Sequence, residues 1–503
     1  MQNNVMDYLN EIVKIKPDKT AFANETDAYT FKEVYDMSRS VATYLAKKDI
    51  YNKPVVVFMR KHPKEILAFF GAITSGNFYV PVDEEMPLSR IQLILDNVKS
   101  PVIICDNDTY ECACKMNYSG EIVHFDDICD GEEDTELLKE IYDNSIDTDP
   151  IYIVFTSGST GVPKGVLACH RSVIDYIEQL SETLGFDGDT VFGNQTPLYF
   201  DACLKELYPT LKFGATTYLI PKSLFMMPIK LVEFMNEHKV NTVCWVVSAL
   251  TMISAFGTFR KVRPEYLKTI AFGSEVFPIK QFNIWKENLP EASFTNLYGP
   301  TEGTGMCCYY KVDRDFELDE VIPIGHPFKN TQILLLKDRK ELAKPGEVGE
   351  ICIRGTSVTL GYYNNPEKTS ESYIQNPLNT AYPEIIYCTG DLGKYNENKE
   401  LVFVSRKDYQ IKHMGHRIEL GEIEANVNML DGIKFSGCIY DNEKGKIVLY
   451  YSGDITDKDI AVELRNRLPR YIIPNLIIKL DSIPMTANGK IDRVSLKKMY
   501  SEQ

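Results

Sequence analysis

Residues 151–165 read Ile151-Tyr-Ile-Val-Phe-Thr-Ser-Gly-Ser-Thr-Gly-Val-Pro-Lys-Gly165, an apolar run followed by a loop of small and hydroxyl-bearing residues. The run 151–155 predicts a buried strand. In the loop, glycines permit tight turns and close approach of the backbone, while hydroxyl groups and one lysine offer hydrogen bonds and a positive charge to an anion. The residues predicted to cradle that anion are Thr156, Ser157, Gly158, Ser159, Thr160, Gly161 and Lys164.

This loop differs from the two best-known phosphate-binding loops. A Walker loop ends in Gly-Lys-Ser/Thr, whereas Lys164 is followed here by Gly165 and Val166. The Gly-x-Gly-x-x-Gly pattern of dinucleotide-binding proteins is also missing from the sequence. A flexible linker would not account for Pro163 and Lys164 at set places in the loop. The segment therefore predicts a phosphate site of another kind.

Outside the loop, short apolar runs alternate with amphipathic stretches. Runs 55–58 and 102–105 predict strands, whereas 63–73 and 171–184 predict helices. This alternation indicates a parallel sheet covered by helices. From about residue 346 the pattern changes to shorter strands, 349–355 and 401–404, and the last segment reads as a small α+β domain with a helix at about 460–468. We predict an α/β protein with a large N-terminal domain of several subdomains and a small C-terminal α+β domain.

Composition limits the function further. A chain of 503 residues is expected to form at least two domains, and a net charge of −16 argues against non-specific binding of nucleic acid. The first ten residues lack the pattern of a signal peptide, which predicts a cytoplasmic protein with reduced cysteines. The uncharged stretch 240–259 is long enough to span a membrane, but we interpret it as strand 242–247 followed by a helix from Ser248, without membrane insertion. A zinc site from cysteines 105, 112, 114 and 129 fits no standard spacing.

The phosphate loop resembles that of the adenylate-forming superfamily, which includes acyl-CoA synthetases, luciferases and the adenylation domains of nonribosomal peptide synthetases. Further segments match motifs of this family in the same order, among them Tyr-Gly-Pro-Thr-Glu at 298–302 and Asn-Gly-Lys at 488–490. The remaining matches are 75–83, 349–350 with 361–362, 387–392, 405–412 with 415–424, and 468–474. The resemblance covers nearly the whole chain and departs from the family at Ser405, where glycine is usual.

The resemblance implies that the protein joins a carboxylate to the α-phosphate of ATP and releases pyrophosphate. Lys164 and the loop would hold the β- and γ-phosphates, Glu302 would help place Mg²⁺, and Thr301 would touch the α-phosphate. Tyr298 would lie against the adenine and Asp391 would accept both ribose hydroxyls. The full set that the resemblance assigns to ATP, besides the loop, is Gly273, Ser274, Glu275, Asn296, Tyr298, Gly299, Thr301, Asp391 and Arg406.

The resemblance also implies a second catalytic lysine and a hinge. Lys490 would bridge the substrate carboxylate and the α-phosphate, although the residue alone reads as a solvated lysine of a turn. Asp408 matches the family's hinge position, so the expected domains are 1–407, which binds ATP and substrate, and 408–503, which is mobile and carries Lys490. Rotation about the hinge would replace Lys490 with the segment around Gly415 for attack by a thiol.

The acid to be activated is indicated by Phe200-Asp-Ala-Cys203, which resembles the Phe-Asp-x-Ser motif of amino-acid-activating members. Asp201 would pair with an α-ammonium group, because a buried carboxylate without a partner is costly. The alternative is that Asp201 caps the following helix. Other pocket positions carried over from the family are Ala202, Lys205, Trp245, Ile270, Phe272, Leu297, Gly305 and Met306. Lys205 either meets an acidic substrate side chain, balances Glu206 or Asp201, or points away.

We therefore predict an amino-acid ligase that transfers its product to the phosphopantetheine thiol of a separate carrier protein. Chain length and Asp201 with Tyr208-Pro209 resemble D-alanine–carrier-protein ligases, but these usually have cysteine where this chain has Phe272. A stand-alone enzyme of the peptide-synthetase type is the close competitor. Two further alternatives are an acyl- or aryl-CoA ligase, which would use free coenzyme A, and an inactive nucleotide-binding protein.

Overall fold

The computed structural model describes residues 2–158, 162–407, 410–442, 444–485 and 491–501. The chain divides into two compact units. The larger comprises Met1–Glu84, Val98–Val154 and Gly165–Lys407, and the smaller comprises Glu85–Asn97, Phe155–Lys164 and Asp408–Gln503. The smaller unit thus includes the phosphate loop and a short helical segment besides the C-terminal residues. Movement of residues 408–503 as a domain stays a prediction.

A nine-stranded sheet forms the centre of the larger unit. Its inner strands are parallel and its edges are antiparallel, and its strands are, in spatial order, His326–Pro327, Cys308–Lys311, Ser293–Tyr298, Thr269–Gly273, Thr242–Val246, Val191–Asn194, Thr216–Leu219, Thr20–Ala23 and Ala28–Thr30. In the register, Gly273 is opposite Leu297. The segments that follow these two parallel strands therefore lie together at the C-terminal ends of the strands, which is where open α/β sheets bind ligands.

Two further sheets complete the strands of this part of the chain. A six-stranded sheet has the order Glu121–His124, Val102–Cys105, Pro54–Phe58, Phe78–Pro81, Pro150–Thr156 and Lys164–Cys169, and its first five strands are parallel. A second six-stranded sheet is antiparallel and contains Glu341–Leu342, Thr331–Lys337, Gly349–Gly355, Ile385–Tyr395, Tyr373–Gln375 and Leu401–Arg406. The change to shorter antiparallel strands matches the change in sequence pattern near residue 346.

Helices cover the parallel sheets, as the alternating pattern predicts. Several have clear end signals: helix Pro63–Thr74 begins with proline, and helix His170–Leu184 ends at Gly185 with φ 70°. The α-helices of the larger unit are Asp7–Ile15, Phe31–Ala46, Pro63–Thr74, Tyr110–Ala113, Thr135–Asn144, His170–Leu184, Leu204–Phe213, Pro228–Glu237, Val247–Ala255, Ile279–Asn288 and Pro366–Ser372. The predicted α/β fold class is confirmed.

The uncharged stretch 240–259 forms strand Thr242–Val246 and helix Val247–Ala255, so the interpretation as strand and helix is confirmed. None of the helices in the described ranges combines the length and the apolar character needed to cross a membrane.

The smaller unit has its own strands and core. Hairpin strands Gln410–His413 and His416–Glu419 are joined by Met414 and Gly415, which both have positive φ as a type I′ turn requires. A three-stranded sheet contains Ile433–Asp441, Lys446–Gly453 and Leu476–Lys479, and the helices are Leu88–Val98, Leu420–Asn428, Asp457–Arg467 and Arg493–Ser501. Apolar side chains of the helices Leu420–Asn428 and Asp457–Arg467 pack on this sheet. The α+β character predicted for the C-terminal part is confirmed.

Candidate active site

Asp391 is buried in the larger unit with a partner on each carboxylate oxygen. Arg406 Nη1 donates to Oδ1 at 2.5 Å, and the Tyr298 hydroxyl donates to Oδ2 at 2.5 Å. Arg406 lies on the strand next to that of Asp391, in direct register with it. The fold therefore brings together three residues that the sequence analysis predicts to bind the nucleotide. A ribose would have to share or replace the existing partners of Asp391.

Glu350 anchors the backbone beside Asp391. Arg339 donates to both carboxylate oxygens of Glu350 at 2.9 Å, and the Gly390 N–H donates to Oε1 at 3.2 Å. Burial opposes ionisation of Glu350, but the hydrogen bonds and charge of Arg339, with Lys407, outweigh it and lower the pKa. Glu350 was visible as part of a family motif, but its role in holding Gly390 was not predictable from that match.

Gly299 and Gly273 lie where no side chain fits. A Cβ on Gly299 would lie 2.5 Å from the Gly305 carbonyl oxygen and from Met306 Cα, and one on Gly273 would lie 2.3 Å from the Leu297 carbonyl oxygen. These glycines keep the backbone close at the edge of the sheet where Tyr298 ends its strand. Neighbouring backbone fills the space beside each Cα, so both positions require glycine.

Other residues predicted to bind the nucleotide form hydrogen bonds within the protein or adopt an unusual backbone conformation. Glu275 Oε2 accepts from the Ser248 N–H at 2.8 Å, at the start of helix Val247–Ala255. Asn296 Nδ2 donates to the Pro323 carbonyl oxygen at 2.8 Å. Ser274 adopts a positive φ of 68°, which is uncommon for a residue with a side chain. These bonds fix the loops around the predicted adenine position.

Asp201 and Glu302 lie close together in the larger unit. Burial raises the pKa of the Asp201 carboxyl, while Lys205 and a hydrogen bond from Thr301 act in the opposite direction and Glu302 adds to the increase. Glu302 is fully buried, and its Oε1 accepts from the Tyr362 hydroxyl at 2.7 Å. Asp201, predicted to bind the substrate amine, thus lies beside Thr301, predicted to contact the α-phosphate, and Glu302, predicted to bind the metal.

The sheet separates the remaining predicted pocket residues. Leu297 and Met306 pack in the same core cluster as Cys203 and Tyr176, whereas Trp245, Ile270 and Phe272 pack in a second cluster. Successive strand residues point to opposite faces, and the neighbours of these residues, Cys244 and Ala271, belong to the first cluster. Trp245 also donates from Nε1 to the Gly193 carbonyl oxygen at 2.6 Å. Ala202 is half-buried in a turn with Asp201.

Gly305 faces Tyr176, a residue that the sequence did not single out. A Cβ on Gly305 would lie 3.0 Å from the Tyr176 ring and 3.2 Å from its hydroxyl oxygen. That hydroxyl is buried and lacks a hydrogen-bond partner within the described residues, as does the Tyr152 hydroxyl. Both tyrosines are electrostatic neighbours of Asp201. No sequence signal marks them, because buried tyrosines on a helix and a strand read as core.

A buried polar cluster continues from Lys205. Asn194 Nδ2 donates to Glu206 Oε2 at 3.2 Å, and Lys61 Nζ donates to the carbonyl oxygens of Asn194 and Gln195 at 3.2 Å. Burial raises the pKa of Glu206 to about 7 despite Lys205, Asn194 and Lys61. The remaining Glu206 oxygen, Oε1, has no hydrogen-bond partner in the described part of the chain.

We expect Glu206→Gln to remove a pH dependence of stability. The folded carboxyl, with a pKa of about 7, keeps a proton that the unfolded carboxyl loses near 4.5, so wild-type stability should fall as pH rises between these values. The pKa difference corresponds to roughly 3 kcal/mol in the free energy of unfolding. Urea denaturation across this pH range measures it, with exposed Glu140→Gln as the control. Equal pH dependence of the Glu206→Gln variant and the wild type would contradict the assignment.

The phosphate loop belongs to the smaller unit. Lys164 Nζ lies 3.7 Å from Glu419, and Ser157 Oγ donates to the Arg417 carbonyl oxygen at 2.7 Å. A Cβ on Gly158 would lie 2.1 Å from the Val162 carbonyl oxygen, so this position requires glycine. Thr156 Oγ1 lies 3.5 Å from the Lys164 carbonyl oxygen. A phosphate bound by Lys164 would have to compete with Glu419.

Some predicted residues lie outside the described residues. These are Ser159, Thr160, Gly161, Asp408 and Lys490. For the rest of the chain, the structure shows twelve unpaired cysteines. Among the residues it describes, no group of three or more potential ligands is arranged to hold a metal ion.

The sequence and fold match known proteins. Residues 9–363 match the sequence model of the family described as AMP-binding enzyme. The chain is 31% identical over 494 residues to Gramicidin S synthase 2 of Brevibacillus brevis, a match that covers 97% of this chain but only 11% of that protein. The chain therefore spans about a tenth of the length of this curated relative.

Solved structures show the same fold at low sequence identity. The adenylation domain AlmE of Vibrio cholerae, in complex with glycyl-adenosine-5'-phosphate, has a TM-score of 0.85 and 20% identity over 100% of this chain and 98% of that one. The o-succinylbenzoate CoA synthetase MenE of Bacillus subtilis has a TM-score of 0.84 and 19% identity over 99% and 98%. These similarities agree with the predicted architecture of a large and a small domain.

Proposed function

Because this chain belongs to the family of AMP-binding enzymes, we propose that it adenylates an amino acid and then transfers the aminoacyl group to a carrier-protein thiol. In the first step, an oxygen of the amino acid carboxylate bonds to the α-phosphorus of ATP, and pyrophosphate leaves. In the second, the thiol sulfur bonds to the carbonyl carbon, AMP leaves, and the thiol proton passes to solvent.

The observation that carries the amino-acid assignment is Asp201. Its carboxylate is buried beside Thr301 and Glu302, the residues proposed to face the α-phosphate and the metal. The α-ammonium of an amino acid would neutralise this carboxylate at the place where its own carboxylate meets ATP. A fatty or aryl acid would leave the buried charge without that partner, which costs several kcal/mol. The Vibrio cholerae neighbour with bound glycyl-adenosine-5'-phosphate supports the same assignment.

Different parts of ATP are assigned to residues of the two units, each unit considered by itself. Asp391, Arg406 and Tyr298 are proposed to bind the nucleoside, and the backbone at Gly273, Ser274 and Gly299 is proposed to line the base. Lys164 and the glycines and hydroxyls of its loop are proposed to hold the distal phosphates. The buried Glu302 carboxylate is an oxygen ligand of the type that Mg²⁺ prefers, and the ion would neutralise phosphate charge. Rotation about Asp408 is proposed to separate the two steps.

We expect Asp201→Asn to lower kcat/KM for the amino acid about 100-fold while ATP binding is retained, because the ion pair with the α-ammonium is lost. Amino-acid-dependent ATP–pyrophosphate exchange measures kcat/KM, and nucleotide binding serves as the internal control. Exposed Asp143→Asn is the matched control. If Asp201→Asn leaves kcat/KM unchanged, Asp201 caps the helix and does not bind substrate.

The fold similarity to MenE supports coenzyme A as an alternative acceptor. A preformed aminoacyl adenylate, offered to the enzyme with either free coenzyme A or a phosphopantetheinylated carrier protein, distinguishes the two. The proposal expects thioester formation on the carrier protein, and thioester on coenzyme A alone would overturn the second step. The cytoplasmic location remains a prediction.

A further inference from the structure

The side chain of Lys205 is a buried basic group beside Asp201, the residue proposed to bind the substrate amine. Lys205 lies in helix Leu204–Phe213 and is only 4% exposed. Within the part of the chain that the structure describes, its side chain forms neither a hydrogen bond nor an ion pair. An isolated buried ammonium group costs several kcal/mol. The position therefore calls for an anion.

The two nearest fixed carboxylates have other partners. Asp201 receives a hydrogen bond from Thr301 and is the proposed partner of the α-ammonium. Glu206 receives one from Asn194 and also faces Lys61. Both are electrostatic neighbours of Lys205, but neither forms an ion pair with it. Once Asp201 holds the substrate amine, Glu206 is the carboxylate left beside Lys205, and Lys61, which also has Glu65 as a neighbour, interacts with the same group.

Hydroxyl donors lie in the same region. The Tyr176 hydroxyl is buried, has no partner within the described ranges, and lies against Gly305, a predicted substrate position. Tyr176 and Lys205 have common neighbours in Asp201, Glu206 and Cys244. A buried donor without an acceptor costs about 1–3 kcal/mol. An ammonium group and a hydroxyl that both lack acceptors favour an anionic ligand over a neutral or cationic one.

We propose that the amino acid activated here carries a carboxylate in its side chain, which Lys205 binds and the Tyr176 hydroxyl supports with a hydrogen bond. This inference rests on the proposed function and adds the class of its substrate. Lys205 and Tyr176 are then specificity-determining residues. Asp201 and Lys205 bind opposite charges of one substrate.

The test is ATP–pyrophosphate exchange with a full panel of L- and D-amino acids, which includes aspartate and glutamate and their uncharged isosteres, asparagine and glutamine. We expect kcat/KM for the acidic substrate to exceed that for its isosteric amide by about 100-fold. Lys205→Met, which keeps most of the length of the side chain, should abolish this preference by lowering kcat/KM for the acidic substrate at least about tenfold more than for the amide. Tyr176→Phe should lower kcat/KM about tenfold more for the acidic substrate than for its amide.

Three outcomes separate the possibilities. Strong exchange with a neutral or basic amino acid and none with the acidic ones overturns this inference and leaves the proposed function intact. Absence of exchange with every amino acid overturns the proposed function itself. If Lys205→Met or Tyr176→Phe lowers kcat/KM equally for the acidic substrate and for its amide, the side chain interacts with Glu206 or stabilises the fold and does not bind the substrate carboxylate. Tyr176→Phe preserves core volume, so it keeps the test decisive if Lys205→Met fails to fold.

Discussion

Lys490→Ala is expected to lower amino-acid-dependent ATP–pyrophosphate exchange by about 100- to 1,000-fold, the usual effect of removing one group that stabilises charge in a transition state. In the proposed reaction, two anions meet at the α-phosphorus, and Lys490 would neutralise them as the bond forms. Transfer from a preformed adenylate to the carrier thiol should be retained, because Lys490 would act only in the first step.

The matched control is Lys497→Ala, which removes an exposed lysine of helix Arg493–Ser501. Both variants change the net charge equally, so a difference between them reports on the site and not on charge. Equal exchange rates in Lys490→Ala and Lys497→Ala would remove Lys490 from the mechanism. Loss of both half-reactions in Lys490→Ala would instead contradict the separation of the two steps.

Asp391→Ala is expected to lower the free energy of unfolding by about 3–5 kcal/mol, because it removes one member of the buried ion pair between Asp391 and Arg406. The same change should weaken AMP binding by about 10- to 100-fold through loss of a charged hydrogen-bond acceptor. Urea denaturation and isothermal titration with AMP measure the two effects. Asp391→Asn keeps the shape of the side chain, and it should affect AMP binding more than stability.

Tyr298→Phe is the control for this site. It removes the hydroxyl donor to Asp391 Oδ2 but retains the ring proposed to lie against adenine. AMP affinity within about threefold of the wild type would show that the carboxylate, rather than the hydroxyl, binds the ribose. Unchanged AMP affinity in Asp391→Ala would contradict the nucleotide assignment.

The secondary structure was largely predictable because it follows local patterns. Strand 102–105 was predicted with the observed bounds, helix 63–73 was observed as Pro63–Thr74, and helix 171–184 as His170–Leu184. Strand 151–155 extends by one residue at each end, to Pro150–Thr156. Apolar runs and proline and glycine signals determine these elements within the chain itself.

The arrangement of the pocket was less predictable, because it depends on the face to which each strand residue points. Trp245 and Phe272 were carried over as pocket residues, yet they pack in a different cluster from Leu297 and Met306. An apolar residue of a central parallel strand reads the same on either face. Tyr176 was missed for a related reason, since only tertiary structure places its hydroxyl beside Gly305.

The most direct test of amino-acid adenylation is ATP–pyrophosphate exchange by the unaltered protein with Mg²⁺. One reaction series contains a pool of L- and D-amino acids, and a second contains fatty and aryl acids without an amine. We predict exchange with the amino-acid pool and none with the second pool. Exchange with the second pool and silence with the amino acids would contradict the role given to Asp201 and the central claim with it.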